Sequence, residues 1–198
     1  MAENRSGRGQ RGPQAQAAKH PGSDRRVKFM ATSALMTAVL CVLGPLSIPI
    51  GPVPISLTNL AIYLMLYILD WKRGTVAYLL YLAIGLIGLP VFSGFTGGAA
   101  KLAGPTGGYL IGFIPMTILI GLFVGKFSGR KIACVAVMEA ATWIAYFFGT
   151  AWYSRMAGMT FSAALAVGVT PFIAEDLAKM ILAAILGPVL RRRLAPFR

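Results

Sequence analysis

Three ionisable residues stand in an apolar segment near the C-terminus, where they could bind a polar ligand or perform acid–base chemistry. Glu175, Asp176 and Lys179 fall within residues 170–190, which otherwise have the composition of a membrane helix. Spacings of three and four residues bring Asp176 and Glu175 to the same side of a helix as Lys179. A charge at bilayer depth costs about 2.5–3.5 kcal/mol on insertion scales, so it usually faces the bundle interior. The pattern therefore predicts a polar pocket lined by this helix.

The composition is that of an integral membrane protein. Of 198 residues, 57% are hydrophobic and only 13% are charged, whereas soluble domains average about 25% charged residues. We predict an all-α integral membrane protein, with a six-helix membrane domain over residues 25–198 and a disordered basic cytoplasmic tail over residues 1–24. The basic residues behind the net charge of +13 lie mainly in this tail and at helix ends, which argues against a nucleic-acid partner.

Apolar runs separated by polar or proline-rich segments predict six membrane helices. Most of the 19 lysines and arginines lie in the tail, in the turn at 70–74, after the fourth helix and at the C-terminus. The positive-inside rule then puts both termini in the cytoplasm. Residues 159–167 are expected to form a short interfacial helix, because their apolar run cannot span a bilayer. The predicted helices cover residues 27–46, 55–69, 75–89, 109–124, 132–151 and 170–190.

Two unusual loops then fall on the outer side of the membrane. The proline loop (residues 47–54) holds three prolines, which forbid a continuous helix. The glycine-rich loop (residues 90–109) has the backbone freedom of a cap or gate. Asn59 follows the first loop, and two interpretations stay open for it, helix capping and projection into a cavity. Tyr109 lies just below the second loop, so these features predict an outward-facing small-molecule pocket.

Catalysis is the weaker interpretation of this pocket. A buried Asp–Lys pair could perform acid–base work, but the single histidine, His20, lies in the tail, and the sequence has no metal-ligand cluster, nucleophile motif or nucleotide-binding motif. We expect no catalytic residue, no metal and no cofactor. Cys41 and Cys134 lie in apolar runs without disulfide-type spacing. Glu139, in the fifth helix, is expected to make a packing hydrogen bond.

Four motifs resemble the BioY family, the biotin-specific substrate-binding (S) components of energy-coupling-factor (ECF) vitamin transporters. The resemblance runs over residues 27–193, and its motifs are GPVPI at 51–55, GLPVFSG at 88–94, GPTGGYL at 104–110 and Asp176-x-x-Lys179. It implies a six-helix S-component fold in the bacterial cell membrane that captures biotin from outside. It also implies two kinds of partner. One is the membrane lipid, and the other is a transmembrane coupling protein that joins two ATP-hydrolysing subunits. The S component itself is not an enzyme.

The resemblance also implies roles for individual residues. Asp176 would bond the ureido ring of biotin, Lys179 would meet its carboxylate, and Asn59 would be a further polar contact. Glu175 is left with a packing or capping role. The remaining predicted pocket residues are Ser93, Gly94, Thr96 and Gly97, which would close over the ligand, and Tyr109.

One departure from the family concerns the charge of the glycine-rich loop. Many BioY members carry an arginine in the Ser-Gly-x-x-Gly-Gly stretch, where it helps to neutralise the ligand carboxylate, and Thr96 stands there in this chain. Lys101 is the candidate replacement. Whether Lys179 binds the carboxylate alone stays open.

The first helix carries the predicted partner-docking residues. The small-xxx-small pair Ala34 and Ala38 favours, from the residues alone, packing within the protein's own bundle. The resemblance implies instead that these two residues, with Ala31 at the edge of the same face, dock on the coupling protein.

Three other interpretations remain. The chain could be an S component for another vitamin, which competition binding with riboflavin, thiamine and biotin decides. It could be a membrane-embedded enzyme using Asp176 and Lys179 as acid and base, which predicts chemical change of the ligand. It could be a structural subunit, in which case leucine would replace the charges of the last helix without loss of function.

Overall fold

Helices make up most of the described chain, with one short β-hairpin. The computed structural model describes residues 21–127 and 129–194, so most of the predicted tail lies outside the described residues. The elements in chain order are α1 (Pro21–Leu43), β1 (Ser47–Ile48), β2 (Ile55–Ser56), α2 (Thr58–Ile68), α3 (Trp71–Leu86), α4 (Ala99–Ala103), α5 (Gly107–Phe127), α6 (Lys131–Ala157), α7 (Phe161–Gly168), a 3₁₀ turn (Thr170–Phe172) and α8 (Ile173–Arg193).

Three helices in the described ranges are long and apolar enough to cross a membrane. They are Arg26–Leu43 of α1, α5 and α6, with mean hydropathies of 1.5, 2.0 and 1.6. α8 is as long as α5, at 21 residues, but begins with two acidic residues and ends with three arginines. α2 and α3 are shorter, at 11 and 16 residues. The chain is therefore a multi-pass membrane protein built almost entirely from helices.

The observed helices follow the predicted order, with shifted ends. α1 begins at Pro21 and α6 continues to Ala157, so both extend beyond their predicted apolar runs. The second and last predicted helices begin three residues late, because β2 and the 3₁₀ turn precede them. The short helix predicted at residues 159–167 is α7, and its position at the membrane interface remains a prediction. α4 was not predicted, because the glycines around it favour a loop.

Small residues allow α5 and α6 to make the most extensive helix contact in the protein. Gly112 lies against the backbone of Ala145, and Gly149 lies against the ring of Tyr109, so a Cβ on either glycine would collide with the facing helix. Between membrane helices, such small residues permit the close approach that gives van der Waals attraction. This contact holds Tyr109 of α5 close to α6.

Buried tyrosines join the helices through hydrogen bonds. The hydroxyl group of Tyr63 on α2 lies 2.7 Å from Thr142 Oγ1 on α6. The hydroxyl group of Tyr81 on α3 donates to the Val91 carbonyl oxygen at 2.9 Å. An apolar interior penalises an unpaired hydroxyl by roughly 1–3 kcal/mol, so these bonds specify which helices and loops meet.

The two unusual loops are folded, and the glycine-rich loop is bonded to the segment that precedes the proline loop. The proline loop is bounded by the antiparallel strands β1 and β2. In the glycine-rich loop, Phe92 and Thr96 pair through their backbones across Gly94, whose φ of +75° suits glycine. Gly94 N–H also donates to the Pro45 carbonyl oxygen at 3.1 Å, which joins this loop to the segment after α1.

Candidate functional site

A cavity lies where the two loops meet α2, α5, α6 and α8. It is open on one side, and the space between its walls, about 640 Å³, includes the solvent at this mouth. All of its charged residues come from α8. The residues lining it are Val53, Pro54, Ser56, Thr58, Asn59, Ser93, Thr106, Tyr109, Leu110, Phe113, Tyr146, Gly168, Phe172, Glu175, Asp176 and Lys179.

Asp176 is the centre of a group that we call the polar cluster (Asn59, Tyr146, Asp176 and Lys179). Its side chain is buried, with the residue only 5% exposed. Its Oδ1 accepts a hydrogen bond from Asn59 Nδ2, and its Oδ2 accepts one from the Tyr146 hydroxyl group at 2.5 Å. A buried carboxylate is tolerated only when it is paired and hydrogen-bonded. Side chains from α2, α6 and α8 therefore converge on one carboxylate.

Lys179 lies one helical turn further along α8 and is also buried, at 8% exposure. Its Nζ donates to the Ser56 carbonyl oxygen at 2.5 Å and to Asn59 Oδ1 at 2.9 Å, and lies 3.4 Å from Asp176 Oδ1. It also forms an ion pair with Glu175. An ammonium group has three N–H donors, so four acceptors compete for them.

Local sequence explains how the polar cluster forms. The three-residue interval between Asp176 and Lys179 puts both side chains on one face of α8. Asn59 is the second residue of α2, whose N-cap position is taken by Leu57 without a side-chain bond. The contacts of Asn59 with Asp176 and Lys179 agree with the cavity interpretation, and its Oδ1 also accepts a hydrogen bond from the Leu60 N–H in the first turn of α2 at 3.0 Å.

The predicted residues at the cavity mouth fall into two groups. Ser93 and Tyr109 line the cavity, and the Tyr109 hydroxyl group donates to the Gly168 carbonyl oxygen at 3.0 Å, which joins α5 to α7. The other predicted loop residues are outside its lining: Gly94, Thr96, Gly97 and Lys101.

Three of these residues outside the cavity lining have structural roles within the loop. Thr96 is exposed, and its hydroxyl group donates to the Ser93 carbonyl oxygen at 3.0 Å, within the same turn. Gly97 packs against the Leu89 backbone, where a Cβ would collide, and Gly94 is held by its bond to Pro45. These residues shape the loop, and a direct role in ligand binding remains a prediction for them.

Lys101 lies on α4 and is partly buried. Burial lowers the pKa of its ammonium group, because an apolar environment disfavours the charged form. Among the residues that line the cavity, the positive charge comes from Lys179. Lys101 would need the loop to move before it could contact a ligand there.

Two important cavity residues were missed or misassigned from the sequence. Tyr146 had no predicted role, since a tyrosine in an apolar helix is common and only its contact with Asp176 distinguishes it. The packing or capping role expected of Glu175 is wrong, because Glu175 lines the cavity and pairs with Lys179. Its four-residue spacing from Lys179 was the sequence feature that predicted this contact.

The remaining predicted residues lie away from the cavity. Glu139 is half-buried and accepts a hydrogen bond from Trp143 Nε1 at 3.0 Å, within its own helix rather than between helices. No group of three or more metal-ligating side chains occurs in residues 21–127 or 129–194. The predicted docking residues all lie on the exposed face of α1: Ala31, Ala34 and Ala38. Docking itself remains a prediction.

Comparison with known proteins identifies the kind of protein that shares this arrangement. The model of the BioY family matches residues 14–196. Biotin transporter BioY2 of Lactococcus lactis is 39% identical over 162 residues, which cover 82% of this chain and 89% of that protein. Biotin transporter BioY of Thermotoga maritima is 37% identical over 166 residues, which cover 84% of this chain and 97% of that protein.

A solved structure has the same fold. It is the crystal structure of the S-component for biotin from an ECF-type ABC transporter, which matches with a TM-score of 0.78 and 35% sequence identity. The match covers 85% of this chain and 93% of that one. The helical bundle described above is therefore an S-component fold.

Proposed function

The chain belongs to the BioY family, and we propose that it is the biotin-binding S component of an ECF-type uptake transporter. The observation that carries this proposal is the buried polar cluster beside the largely apolar cavity. Biotin has an apolar body, a ureido group with N–H donors and a carbonyl acceptor, and a carboxylate. A site with both a buried carboxylate and buried donors complements such a ligand.

The contact distances indicate that the whole polar cluster binds the same end of the ligand. Asp176 Oδ1 and Lys179 Nζ are 3.4 Å apart, so an extended biotin molecule cannot place its ureido ring on one and its carboxylate on the other. The ureido group fits both, because its N–H groups donate to Asp176 while its carbonyl oxygen accepts from Lys179. The carboxylate end then extends towards the glycine-rich loop, where Ser93 lines the cavity.

The glycine-rich loop also closes over the bound ligand. Its predicted residues are Ser93, Gly94, Thr96 and Gly97, and its cation is Lys101 on α4. Movement of this loop brings Lys101 towards the ligand carboxylate, in the role that the arginine has in other family members. The glycines at positive φ allow the backbone to change direction without strain.

In the membrane, α1, α2, α3, α5, α6 and α8 form six spans, with α7 at the interface and both termini in the cytoplasm of a bacterial cell. Arg191 on α8 donates to the Gly125 carbonyl oxygen of α5 at 3.3 Å, so the basic ends of these helices lie together, as the positive-inside rule requires on the cytoplasmic side. The basic segment at residues 1–24, whose last four residues are the start of α1, then lies on the cytoplasmic side.

Thiol labelling of intact cells tests this orientation. In a background without Cys41 and Cys134, a cysteine at the exposed loop residue Phe95 should react with a membrane-impermeant reagent. A cysteine at Arg193 should react only after permeabilisation. The reverse pattern would contradict the topology.

The partners of the S component are a transmembrane coupling protein and the two ATPase subunits that it joins. The exposed alanines of α1 (Ala31, Ala34 and Ala38) supply a flat surface on which another helix can pack closely. Ala34→Trp should abolish co-purification with the coupling protein and leave biotin binding unchanged. Normal co-purification of this variant would contradict docking through α1.

Direct binding measurements test the function itself. The purified protein should retain biotin tightly in calorimetric titration, and riboflavin and thiamine should fail to compete. Mass spectrometry should show that the ligand elutes chemically unchanged, because the proposed role is binding without turnover. Preference for another vitamin would keep the fold and overturn the substrate, whereas a chemically altered ligand would indicate an enzyme.

A further inference from the structure

Glu175 is the cavity carboxylate with the fewest bonds. Apart from its ion pair with Lys179, neither of its oxygens has a hydrogen-bond partner among the described residues. Asp176, its neighbour, is held by both Asn59 and Tyr146. Both Glu175 oxygens are buried, while its side chain as a whole is 22% exposed, against 7% for that of Asp176. Of the two carboxylates, Glu175 is therefore the one that can move.

Lys179 has no spare donor for a ligand. Its three N–H groups are surrounded by the Ser56 carbonyl oxygen, Asn59 Oδ1, Asp176 and Glu175. A ligand oxygen must displace one of these four acceptors to reach the ammonium group. The Ser56 carbonyl belongs to the backbone, and Asn59 and Asp176 are fixed by further bonds, so Glu175 is the acceptor that is displaced.

Displacement changes the charge balance around Glu175. The titratable side chains lining the cavity are Tyr109 of α5, Tyr146 of α6, and Glu175, Asp176 and Lys179 of α8, while the loops and α2 contribute none. Two carboxylates thus face one ammonium group. When a ligand takes the N–H of Lys179, Glu175 is left beside Asp176 without a counter-ion, where a charged carboxylate is disfavoured.

We propose that Glu175 competes with the ligand for Lys179 and takes up one proton when the ligand displaces it. This inference rests on the proposed function, because it uses biotin as the ligand. The proton comes from solvent and forms the neutral carboxylic acid of Glu175, and no other bond changes. Glu175 therefore sets how strongly binding depends on pH, and it weakens binding where it is ionised.

Calorimetry with two ligands tests the proposal. Biotin and its neutral analogue biotinamide are titrated into wild-type protein in buffers of different ionisation enthalpy, between pH 6 and pH 8. Each complex should take up close to one proton at the upper end of this range. By proton linkage, affinity should then fall about tenfold per pH unit. Because biotinamide has no carboxylate, uptake with this ligand locates the proton on the protein.

The variant Glu175→Gln keeps the shape of the side chain and removes its charge. It should bind biotin about tenfold more tightly than wild type at pH 8, with no proton uptake and no pH dependence over this range. The control Asp70→Asn, which removes an exposed carboxylate outside the cavity lining, should behave like wild type. A thermal melt of each variant shows that the fold is kept.

The outcomes separate the two proposals. Tight, pH-independent binding by wild-type protein, or proton uptake that persists in Glu175→Gln, would overturn the inference and leave the proposed function intact. Absence of biotin binding by wild-type protein would overturn the function, and the inference with it.

Discussion

The cavity has two sides that are held in different ways. On the helix side, Asp176 and Lys179 are at most 8% exposed, and their polar atoms bond to side chains of α2 and α6. On the loop side, Thr96 is exposed, and its side chain bonds to the backbone of Ser93 within its own turn. Helix packing thus fixes the polar cluster before a ligand arrives, whereas the loop is held by backbone contacts and by the buried ring of Phe92 and leaves the side chain of Thr96 exposed.

This difference has an energetic consequence. Removing one member of a buried, hydrogen-bonded charge pair leaves the other unpaired and costs about 2–5 kcal/mol. An exposed polar contact is exchanged for water and contributes at most about 1 kcal/mol. Ligand affinity should therefore depend strongly on the helix side and weakly on loop side chains.

The largest effect is expected for Lys179→Ala. It leaves Asp176 and Glu175 without a positive partner, so biotin should bind at least ~30-fold more weakly, since each 1.4 kcal/mol is about a factor of ten. Calorimetry with biotin and biotinamide should show the same loss, because Lys179 meets the ureido end. A loss confined to biotin would instead assign the ligand carboxylate to Lys179.

Asp176→Asn should have the next largest effect. The amide keeps the size of the side chain but cannot accept from Asn59, Tyr146 and a ureido N–H as a carboxylate does. Hydrogen bonds to charged groups contribute about 1.5–3 kcal/mol, so biotin binding should weaken at least tenfold in titration. Asp70→Asn, which removes a surface ion pair with Arg73, should leave affinity unchanged, and an equal loss there would point to general destabilisation.

Tyr146→Phe should weaken biotin binding roughly fivefold. It removes one hydrogen bond to Asp176, but Asn59 and Lys179 still contact this carboxylate, so the loss should be about 1 kcal/mol, below the roughly 1.5–3 kcal/mol of a bond to a charged group without other partners. Tyr153→Phe is the matched control, since this buried tyrosine lies on the same helix but not in the cavity lining. Equal affinities of the two variants would show that the hydroxyl group of Tyr146 does not contribute to biotin binding.

Lys101→Ala tests the loop side with the same pair of ligands. Because an exposed or half-buried charge pair contributes about 0.2–1 kcal/mol, biotin affinity should fall by no more than roughly fivefold. Biotinamide affinity should not change, since only the carboxylate end reaches α4. A loss as large as that of Lys179→Ala would contradict the expectation that affinity depends more on the helix side of the cavity than on the loop side.

The smallest effect is expected for Thr96→Val. Its hydroxyl group bonds to a backbone oxygen in an exposed turn, so water can replace the lost bond and affinity should change less than about twofold. Equilibrium binding of biotin measures this change. A tenfold loss would show that Thr96 itself contacts the ligand.

Much of the architecture could be predicted from local patterns. Apolar run lengths gave the helix order, and spacing along α8 paired Asp176 with Lys179. Helix ends were less predictable: α6 continues through residues 152–157, because tertiary contacts support residues such as Tyr153. α4 was hidden by the glycines on both sides of it.

The sequence by itself determined a membrane bundle with charges in its last helix, because hydrophobicity and helical spacing are properties of neighbouring residues. Only the tertiary structure decided which side chains meet those charges. Tyr146 and Asn59 reach Asp176 from sequence distances of 30 and 117 residues, and such contacts depend on how each helix is rotated and packed. The pairing of Glu175 with Lys179 is different, because its four-residue spacing lies within one helix, and the tertiary structure decided only that both residues line the cavity.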